Sequence, residues 1–333
     1  MVRLGFMSFA HMHAYSYAEA ARVIAGVELV AVFDADLERG QAAADTFDMV
    51  FYADVDAFFE QDFEAVVICS ENNQHAWMTV AAAEYGKHVL CEKPIATSVE
   101  DARRMIQACD DAGVILQTAF PVRFTDSIVA LKKVVETGQL GDIVAMRSTN
   151  RGQNPGGWFV DVEQSGGGAV FDHTVHMVDI MRWLMGAEVV SVRSQVDNFY
   201  YGDGVEDAID DAGVMTLVFD NGVIASHDAS WSRYEEYPVW GDVQIEVIGT
   251  EGTAKVSNTL DNVIEFAPVS DGCPRTLHFN GFGNNTDLAL MRDFVECVRE
   301  GRQPSITGYD GLKAMEVGLA AYRSAEEGRR VEL

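Results

Sequence analysis

Residues 2–34 of this 333-residue chain, VRLGFMSFAHMHAYSYAEAARVIAGVELVAVFD, decide its fold. The apolar runs at both ends of this stretch are typical of buried strands, and the segment between them has helical spacing. The same alternation continues to about residue 120, which predicts a doubly wound α/β Rossmann domain over residues 1–120. The predicted strands are Val2–Met7, Glu28–Phe33, Ala65–Cys69, His88–Leu90 and Val114–Ala119, and the predicted helices are Ala14–Ala25, Leu37–Phe47, His75–Tyr85 and Val99–Ala112.

The loop after the first predicted strand lies where a dinucleotide-binding domain receives a pyrophosphate. Ser8, Ala10 and His13 stand where the Gly-x-Gly-x-x-Gly fingerprint has glycines, so the motif alone is weak. We expect the loop to contact a dinucleotide. The residues assigned to this contact are Ser8, Phe9, Ala10, His11 and Met12.

Asp34 ends the second predicted strand, roughly 20 residues beyond the loop, where an adenosine ribose would lie. Its carboxylate can accept hydrogen bonds from both ribose hydroxyls and would repel a 2′-phosphate. The next two residues are Ala35 and Asp36, so no arginine follows at once to hold such a phosphate. The position favours NAD over NADP, although an acid at a strand end can also cap the next helix.

The pattern changes after Pro121, and it predicts a second, α+β domain over residues 121–333. Long alternating runs joined by turns such as Asp220-Asn221-Gly222 indicate a mostly antiparallel sheet. The predicted elements are a helix to Thr137, strands Ile143–Ser148, Gly213–Phe219, Val223–Ala229 and Val243–Ile248, and helices Ala169–Met185, Leu288–Arg299 and Gly311–Glu327.

The net charge excludes two classes of partner. With 24 basic and 52 acidic residues, the chain carries −28 and repels nucleic acid and anionic membranes. Lysines number only 6, and an acidic surface with few ammonium groups indicates a protein that stays soluble in concentrated salt.

No apolar run approaches the roughly 20 residues of a membrane span, and the amino end lacks a signal-peptide pattern, so we expect a cytoplasmic protein. The five cysteines form no Cys-x-x-Cys pair, which favours reduced, buried thiols.

Cys91-Glu92-Lys93-Pro94 follows a predicted core strand, at the sheet edge where ligands gather in open α/β sheets. Pro94 has no N–H and biases Lys93 away from helical geometry, which fixes the direction of the lysine. A solvated turn would give the same residue pair, so the motif needs support from the rest of the chain.

Residues 166–179, GGGAVFDHTVHMVD, are the second polar motif. In a helix, Asp172, His176 and Asp179 share one face. A histidine within a buried polar network is one reading of this face, and a metal site that adds His173 is another. The metal reading is disfavoured because His173 points about 100° away from Asp172, and no metal is expected.

These motifs occur in one order along the chain, and together they resemble the Gfo/Idh/MocA family of glucose-fructose oxidoreductases and inositol dehydrogenases. Glu92-Lys93-Pro94 is similar to the family's Glu-Lys-Pro signature, and residues 166–179 are similar to its Gly-Gly-Gly-x-x-x-Asp-x-Gly-x-His-x-x-Asp helix, with Thr174 in place of a glycine. Three shorter segments also match the family's pattern: Ser70–His75, Val122–Phe124 and Ala321–Gly328.

The resemblance implies a Rossmann domain followed by a domain with an open-faced sheet, which often makes a dimer or tetramer contact. It places Lys93, Asp172 and His176 at a substrate hydroxyl. It also implies cofactor contacts from a set outside the loop, namely Ser70, Asn72, His75, Glu92, Lys93 and Arg123. The departures at Ser8, Ala10 and His13 concern the pyrophosphate rather than the chemistry.

The sequence therefore predicts an NAD-dependent oxidoreductase that acts on a hydroxyl-bearing carbon of a sugar or cyclic polyol. We interpret His176 as the general base, Asp172 as its partner or a substrate anchor, and Lys93 as the electrostatic element, with the roles of Lys93 and His176 open to exchange. Two alternatives stay open at this point: a glycosidase that uses NAD for transient oxidation, and a non-catalytic NAD-binding regulator.

Overall fold

The described part of the chain divides into two units that are discontinuous in sequence. The computed structural model describes residues 1–201, 209–237, 239–257, 262–267, 276–281 and 284–333. The first unit holds Met1–Phe124, Gly157–Gly167 and Asn285–Glu316, and the second holds Thr125–Gly156, Gly168–Asn284 and Val317–Leu333. The single boundary expected near residue 120 stays a prediction, and it leaves out the segments that return to the first unit.

The secondary structure follows the predicted order closely. The strands are β1 (Val2–Met7), β2 (Val27–Phe33), β3 (Val50–Tyr52), β4 (Ala65–Ile68), β5 (His88–Cys91), β6 (Leu116–Thr118), β7 (Ile143–Gly152), β8 (Val189–Asp197), β9 (Ala212–Phe219), β10 (Ile224–Ser230), β11 (Gly241–Gly249), β12 (Thr253–Ser257), β13 (Asn262–Ala267), β14 (Thr276–Gly281) and β15 (Val331–Glu332). The helices are α1 (His13–Arg22), α2 (Leu37–Phe47), α3 (Val55–Phe59), α4 (His75–Glu84), α5 (Val99–Ala112), α6 (Asp126–Glu136), α7 (Val162–Ser165), α8 (Ala169–Met185), α9 (Thr286–Glu300) and α10 (Gly308–Glu327). Within the described ranges, no helix combines the length and hydropathy needed to cross a bilayer.

The first unit is built on a parallel sheet with the strand order β3-β2-β1-β4-β5-β6, which is the doubly wound order. All four residues of β4 are buried, as expected of a parallel strand covered on both faces. Asp36 caps α2 by accepting from the N–H groups of Glu38 and Arg39, and Ser98 caps α5 by accepting from Asp101, as its sequence predicts.

Helix α9 completes the apolar core of the first unit from the far end of the chain. Its buried residues belong to the same cluster as Phe6 of β1 and Tyr17 of α1, and they are Leu290, Met291, Phe294, Val295 and Cys297. The described cysteines are free and buried, as expected: Cys69, Cys91, Cys109 and Cys297. Cys273 lies outside the described residues.

The second unit is built on a seven-stranded sheet with the order β12-β11-β7-β10-β9-β8-β15. Its pairs are antiparallel apart from β7 and β10, so the mostly antiparallel sheet is confirmed. Helix α8 packs against β7, β9 and β10, and the separate pair β13–β14 is antiparallel.

The glycine-rich segment before α8 allows a very close approach of two backbones. The Gly168 N–H donates to the Asp210 carboxylate at 2.9 Å, and the Val170 N–H donates to its other oxygen at 2.8 Å. The hydroxyl of Tyr322 on α10 donates to the same carboxylate at 2.8 Å. A Cβ on Gly168 would lie 2.0 Å from the Asp210 carbonyl oxygen, so only glycine fits here. Asp210 therefore serves as the N-terminal anion of α8.

Candidate active site and cofactor loop

Hydrogen bonds hold the loop between β1 and α1 in a conformation that glycines provide in the Gly-x-Gly-x-x-Gly fingerprint. Ser8 has a φ of 67°, in the left-handed region that glycine enters most easily. Its Oγ accepts from the Ala10 N–H at 3.1 Å, and the Phe9 N–H donates to Asp34 at 2.9 Å. The Phe9 ring is buried and stacks on Phe47. Serine thus replaces the first glycine at a conformational cost that these contacts offset.

Asp34 is fully buried and already engages a cation. The Arg39 guanidinium donates from Nε to one carboxylate oxygen at 2.8 Å and from Nη2 to the other at 2.6 Å. The arginine lies five residues after Asp34 instead of directly after it, so the sequence next to Asp34 does not reveal the contact. Because Asp36 caps α2, Arg39 lies on the first turn, from which its side chain reaches back to the end of β2.

A pocket of about 260 Å³ lies beside Asp34. Its lining combines the Trp77 ring with polar side chains, including Ser8, Asp34, Arg39, Glu71 and Gln74. An aromatic surface next to a carboxylate at the end of β2 suits the adenosine half of a dinucleotide. The residues present therefore fit the predicted cofactor.

Glu92 is the centre of a buried hydrogen-bond network beside the loop. Its Oε1 accepts from the Tyr17 hydroxyl at 2.6 Å and from His13 Nδ1 at 2.8 Å, and its Oε2 accepts from the Lys93 N–H at 2.7 Å. Burial opposes its charge, but the nearby His11 and His13 outweigh burial and hold the Glu92 pKa well below its usual range. Burial likewise opposes the charge on His13, but Glu92 outweighs it and raises the His13 pKa above 6.5.

His11, His13 and Glu92 place three potential ligand atoms within 4.8 Å of one another, which invites a metal-site reading. The tautomer of His11 argues against it. His11 Nδ1 accepts from the His13 N–H at 3.1 Å, so the proton of the ring lies on Nε2, the atom that faces Glu92. A nitrogen that carries a proton cannot ligate a metal. We therefore interpret the cluster as a proton-sharing network, and the expected lack of a metal stays a prediction.

Lys93 is buried directly after β5 and is joined to Pro94 by a cis peptide bond. Two contacts fix this turn. The Lys93 N–H is held by Glu92, and the Pro94 carbonyl accepts from His75 Nδ1 at 2.9 Å. Burial lowers the pKa of His75, so its ring is neutral at pH 7 and orients the turn without adding charge.

The other residues assigned to the cofactor also hold the first unit together. Asn72 donates to the carbonyl of Ser165 at 2.8 Å, and Arg123 donates to the carbonyl of Ser305 at 2.7 Å. Both bonds tie returning segments to the parallel-sheet unit. Sequence separation hides such contacts, because no local pattern links residues 93 or 182 positions apart.

The residues of the loop after β1 contact different parts of the first unit. Ser8 and Phe9 contact Asp34, His11 faces Glu92, and the Ala10 carbonyl accepts from Trp158 Nε1 at 3.2 Å. The Met12 side chain is 44% exposed at the start of α1, and the Ser70 hydroxyl donates to the Glu71 carbonyl. Their contact with a dinucleotide stays a prediction.

In the second unit, α8 presents Asp172, His173 and His176 from a largely buried helix. Asp172 Oδ2 accepts from Trp231 Nε1 at 3.2 Å and lies 3.2 Å from His173 Nε2. The expectation that His173 points away from Asp172 is wrong. A 100° separation of their Cβ directions does not keep the tips of two neighbouring side chains apart, because the ring can rotate back toward the carboxylate. This leaves His173 as a polar neighbour that the sequence reading set aside.

Comparison with known proteins identifies the family. Residues 1–120 match an oxidoreductase family with an NAD-binding Rossmann fold, and residues 128–255 match the GFO/IDH/MocA C-terminal domain. The chain belongs to the GFO/IDH/MocA oxidoreductases. The predicted resemblance, the two-part fold and the NAD cofactor are thereby confirmed.

Relatives with named activities resemble the chain over most of its length. The myo-inositol 2-dehydrogenase of Thermotoga maritima is 32% identical over 82% of this chain and 81% of its own. The 1,5-anhydro-D-fructose reductase of Ensifer adhaerens is 32% identical over 92% of each chain. The structure of GenD2 from gentamicin A biosynthesis, in complex with NAD, has a TM-score of 0.89 at 25% identity, covering 100% of this chain and 96% of its own. These relatives do not favour the glycosidase or the regulator.

Proposed function

We propose that this GFO/IDH/MocA oxidoreductase transfers a hydride between NAD and a hydroxyl-bearing carbon of a sugar or cyclic polyol. The observation that carries the proposal is the α8 face with Asp172 and His176, on a chain of this family that also has Lys93 at the end of β5. The named substrates of the two relatives, myo-inositol and 1,5-anhydro-D-fructose, are both polyhydroxylated compounds, which supports the substrate class.

The reaction requires a base, because the substrate hydroxyl must lose its proton as the hydride departs. We assign this role to His176, since a histidine titrates near neutral pH. Asp172, one helical turn before it, orients the ring or anchors the substrate. Lys93 stabilises the negative charge that develops on the substrate oxygen. The exchange of roles between Lys93 and His176 is the alternative that mutation has to decide.

NAD, when bound, supplies the hydride acceptor of the reaction. We propose that Asp34 accepts hydrogen bonds from its adenosine ribose, with Arg39 and Trp77 beside it in the same pocket. The loop of Ser8, Phe9, Ala10, His11 and Met12 would contact the pyrophosphate. The residues proposed at the other end of the cofactor are Ser70, Asn72, His75, Glu92, Lys93 and Arg123.

We further propose that the chain works in the cytoplasm as a homodimer or homotetramer formed through the sheet of the second unit. This sheet has an exposed row of alternating charge, in which Glu246 lies between Arg147 on β7 and Lys255 on β12. A pocket of about 280 Å³ borders the same row. The same face of an open sheet can pack against its counterpart on a second copy about a two-fold axis.

The proposal is tested by following NADH at 340 nm with a panel of inositols, sugars and anhydrosugars in molar salt. We expect net NADH formation with at least one polyol. His176→Ala should lower kcat by about 10² to 10⁴ and leave NAD binding nearly intact, which is the usual range for loss of a general base. Lys93→Met should cause similar damage. Near-normal turnover of His176→Ala with an unchanged pH profile would move the base to Lys93, and NAD binding without turnover on any polyol would contradict the proposed function.

A further inference from the structure

The carboxylate of Asp34 is already saturated with hydrogen-bond donors. Its side chain is fully buried and accepts five hydrogen bonds. The backbone N–H groups of Phe9 and Asp36 donate at 2.9 and 3.0 Å, and the Ser8 hydroxyl donates at 3.3 Å. Arg39 supplies the other two, from Nε at 2.8 Å and from Nη2 at 2.6 Å. Because a carboxylate has about four lone-pair sites, a ribose hydroxyl can bond to Asp34 only after a donor has left.

Arg39 is the donor that can leave. The other donors belong to the main chain or to the short Ser8 side chain, whereas the guanidinium ends a long side chain that is 27% exposed. A second carboxylate lies nearby, because Arg39 Nη2 is 3.9 Å from Glu71 Oε1. Asp34, Arg39 and Glu71 all line the pocket of about 260 Å³. A rotation of the Arg39 side chain can therefore exchange Asp34 for Glu71 and uncover Asp34 toward the pocket.

We propose that Arg39 competes with the adenosine ribose for Asp34 and thereby sets the affinity for NAD. On binding, the ribose hydroxyls replace the guanidinium on the buried carboxylate, and Arg39 pairs with Glu71, which is 21% exposed. This exchange opposes binding, since a hydrogen bond between charged groups contributes more at a buried carboxylate than at a partly exposed one. The inference rests on the proposed function only for the contact between Asp34 and the ribose.

The sign of the effect separates this role from simple attraction. A guanidinium beside a dinucleotide ordinarily favours binding, because the pyrophosphate is negatively charged, and its removal then weakens the complex. A guanidinium that must first leave Asp34 opposes binding, and its removal then strengthens the complex. The two roles of Arg39 therefore predict opposite changes in NAD affinity.

The first test measures NAD binding to the full chain by titration calorimetry, with no sugar or polyol added. Arg39→Met removes the guanidinium but keeps an apolar stem, and we expect it to bind NAD about three- to tenfold more tightly. Arg39→Lys keeps the charge but cannot donate to both carboxylate oxygens in the same way, so its gain should be smaller. Equal or weaker NAD binding by a folded Arg39→Met chain would overturn the proposal. Should Arg39→Met fail to fold, Arg39→Lys decides, because binding no tighter than that of the unmutated chain would also overturn it.

A second pair of ligands tests whether the ribose hydroxyls are the competing groups. AMP carries both hydroxyls and 2′,3′-dideoxy-AMP carries neither, so only AMP has to displace Arg39 from Asp34. The gain from Arg39→Met should appear in titrations with AMP and be absent in titrations with the dideoxy compound. Equal gains with both ligands would mean that the Arg39 side chain only narrows the pocket, which would overturn the proposal.

A third variant tests Glu71 as the second partner of Arg39. Glu71→Gln should weaken NAD binding by about two- to threefold, because the displaced guanidinium loses its ion pair, and it should have no effect in a chain that also carries Arg39→Met. Glu38→Gln is the matched control, since it removes an exposed negative charge from the first turn of α2 and should leave the affinity unchanged. An effect of Glu71→Gln that persists in the double variant would overturn the proposed exchange. If these binding results are obtained with a chain that oxidises no polyol, only the proposed function is contradicted.

Discussion

At the scale of single residues, the contact between Asp34 and Arg39 sharpens the prediction of cofactor preference. At its proposed place beside the ribose, Asp34 would repel a 2′-phosphate, and it also holds the arginine that could bind one. Asp34→Ser should therefore release Arg39 and improve NADP binding by about tenfold or more, a gain typical of a charged hydrogen bond. Titration of each variant with NAD and NADP measures the change.

The double variant Asp34→Ser/Arg39→Ala is the matched control, because it removes the repulsion without supplying the guanidinium. It should recover only a small part of the gain in NADP affinity. Equal affinity of the unmutated protein for NAD and NADP would remove the basis of this prediction.

The pair of His13 and Glu92 should make stability depend on pH. The pKa of His13 is raised in the fold, so its contribution is complete below 6.5 and is lost as the pH rises through the folded value. The pKa of Glu92 is lowered, so its contribution is complete above 4.5 and is lost as the pH falls. His13→Gln should lower the free energy of unfolding by about 1 kcal/mol near pH 6. It should also remove part of the decrease in stability that occurs as the pH rises.

Urea unfolding at acid and alkaline pH checks this, with His88→Gln as control. Burial lowers the pKa of His88, so its contribution has the opposite sign and its loss should leave the alkaline decline in place. If the stability of His13→Gln falls above pH 6.5 as steeply as that of the unmutated chain, the pair of His13 and Glu92 does not cause the decrease.

At the scale of elements, the start of α8 depends on the absence of a side chain at Gly168. Gly168→Ala would place a Cβ against backbone, so we expect a loss of about 2 to 4 kcal/mol in the free energy of unfolding. Gly222→Ala is the control, since its φ is +86° with nothing within 4 Å, and it should cost only about 1 kcal/mol. Chemical denaturation of both variants measures the difference. Equal losses would mean that the close approach to Asp210 is not what constrains the segment.

The sequence predicted most elements because their periods are long enough to be recognised. Leu37–Phe47, Val99–Ala112 and Ala169–Met185 match the observed α2, α5 and α8 at both ends. Two of the elements missed in the first unit are short: β3 has three residues and α3 has five, which is too few for a period. The nine-residue β8 in the second unit is also absent from the named predictions. In the site, the sequence could identify residue types but not partners. Arg39 on Asp34 and His173 against Asp172 depend on side-chain rotation, which no spacing rule contains.

At the scale of the whole molecule, the charge of −28 predicts a fold that salt stabilises. Mutual repulsion of carboxylates destabilises the compact state, and counterions screen it. The melting temperature should rise by several degrees between low and molar potassium chloride, as judged from thermal unfolding. Sucrose at equal osmolality separates screening from general exclusion effects. A melting temperature that is unchanged by salt would contradict the prediction that this protein is adapted to concentrated salt.

The return of α9 to the first unit has a consequence for synthesis on the ribosome. The apolar surface of the first 124 residues needs Leu290, Met291, Phe294 and Val295, which are translated only after residues 125–284. At about 5 to 20 residues per second, roughly 10 to 40 s pass between the emergence of residue 124 and that of α9. During that time the first 124 residues lack part of their apolar core, so this unit cannot complete its folding until α9 has been made. Its acidic surface then keeps neighbouring nascent chains apart while the core stays incomplete.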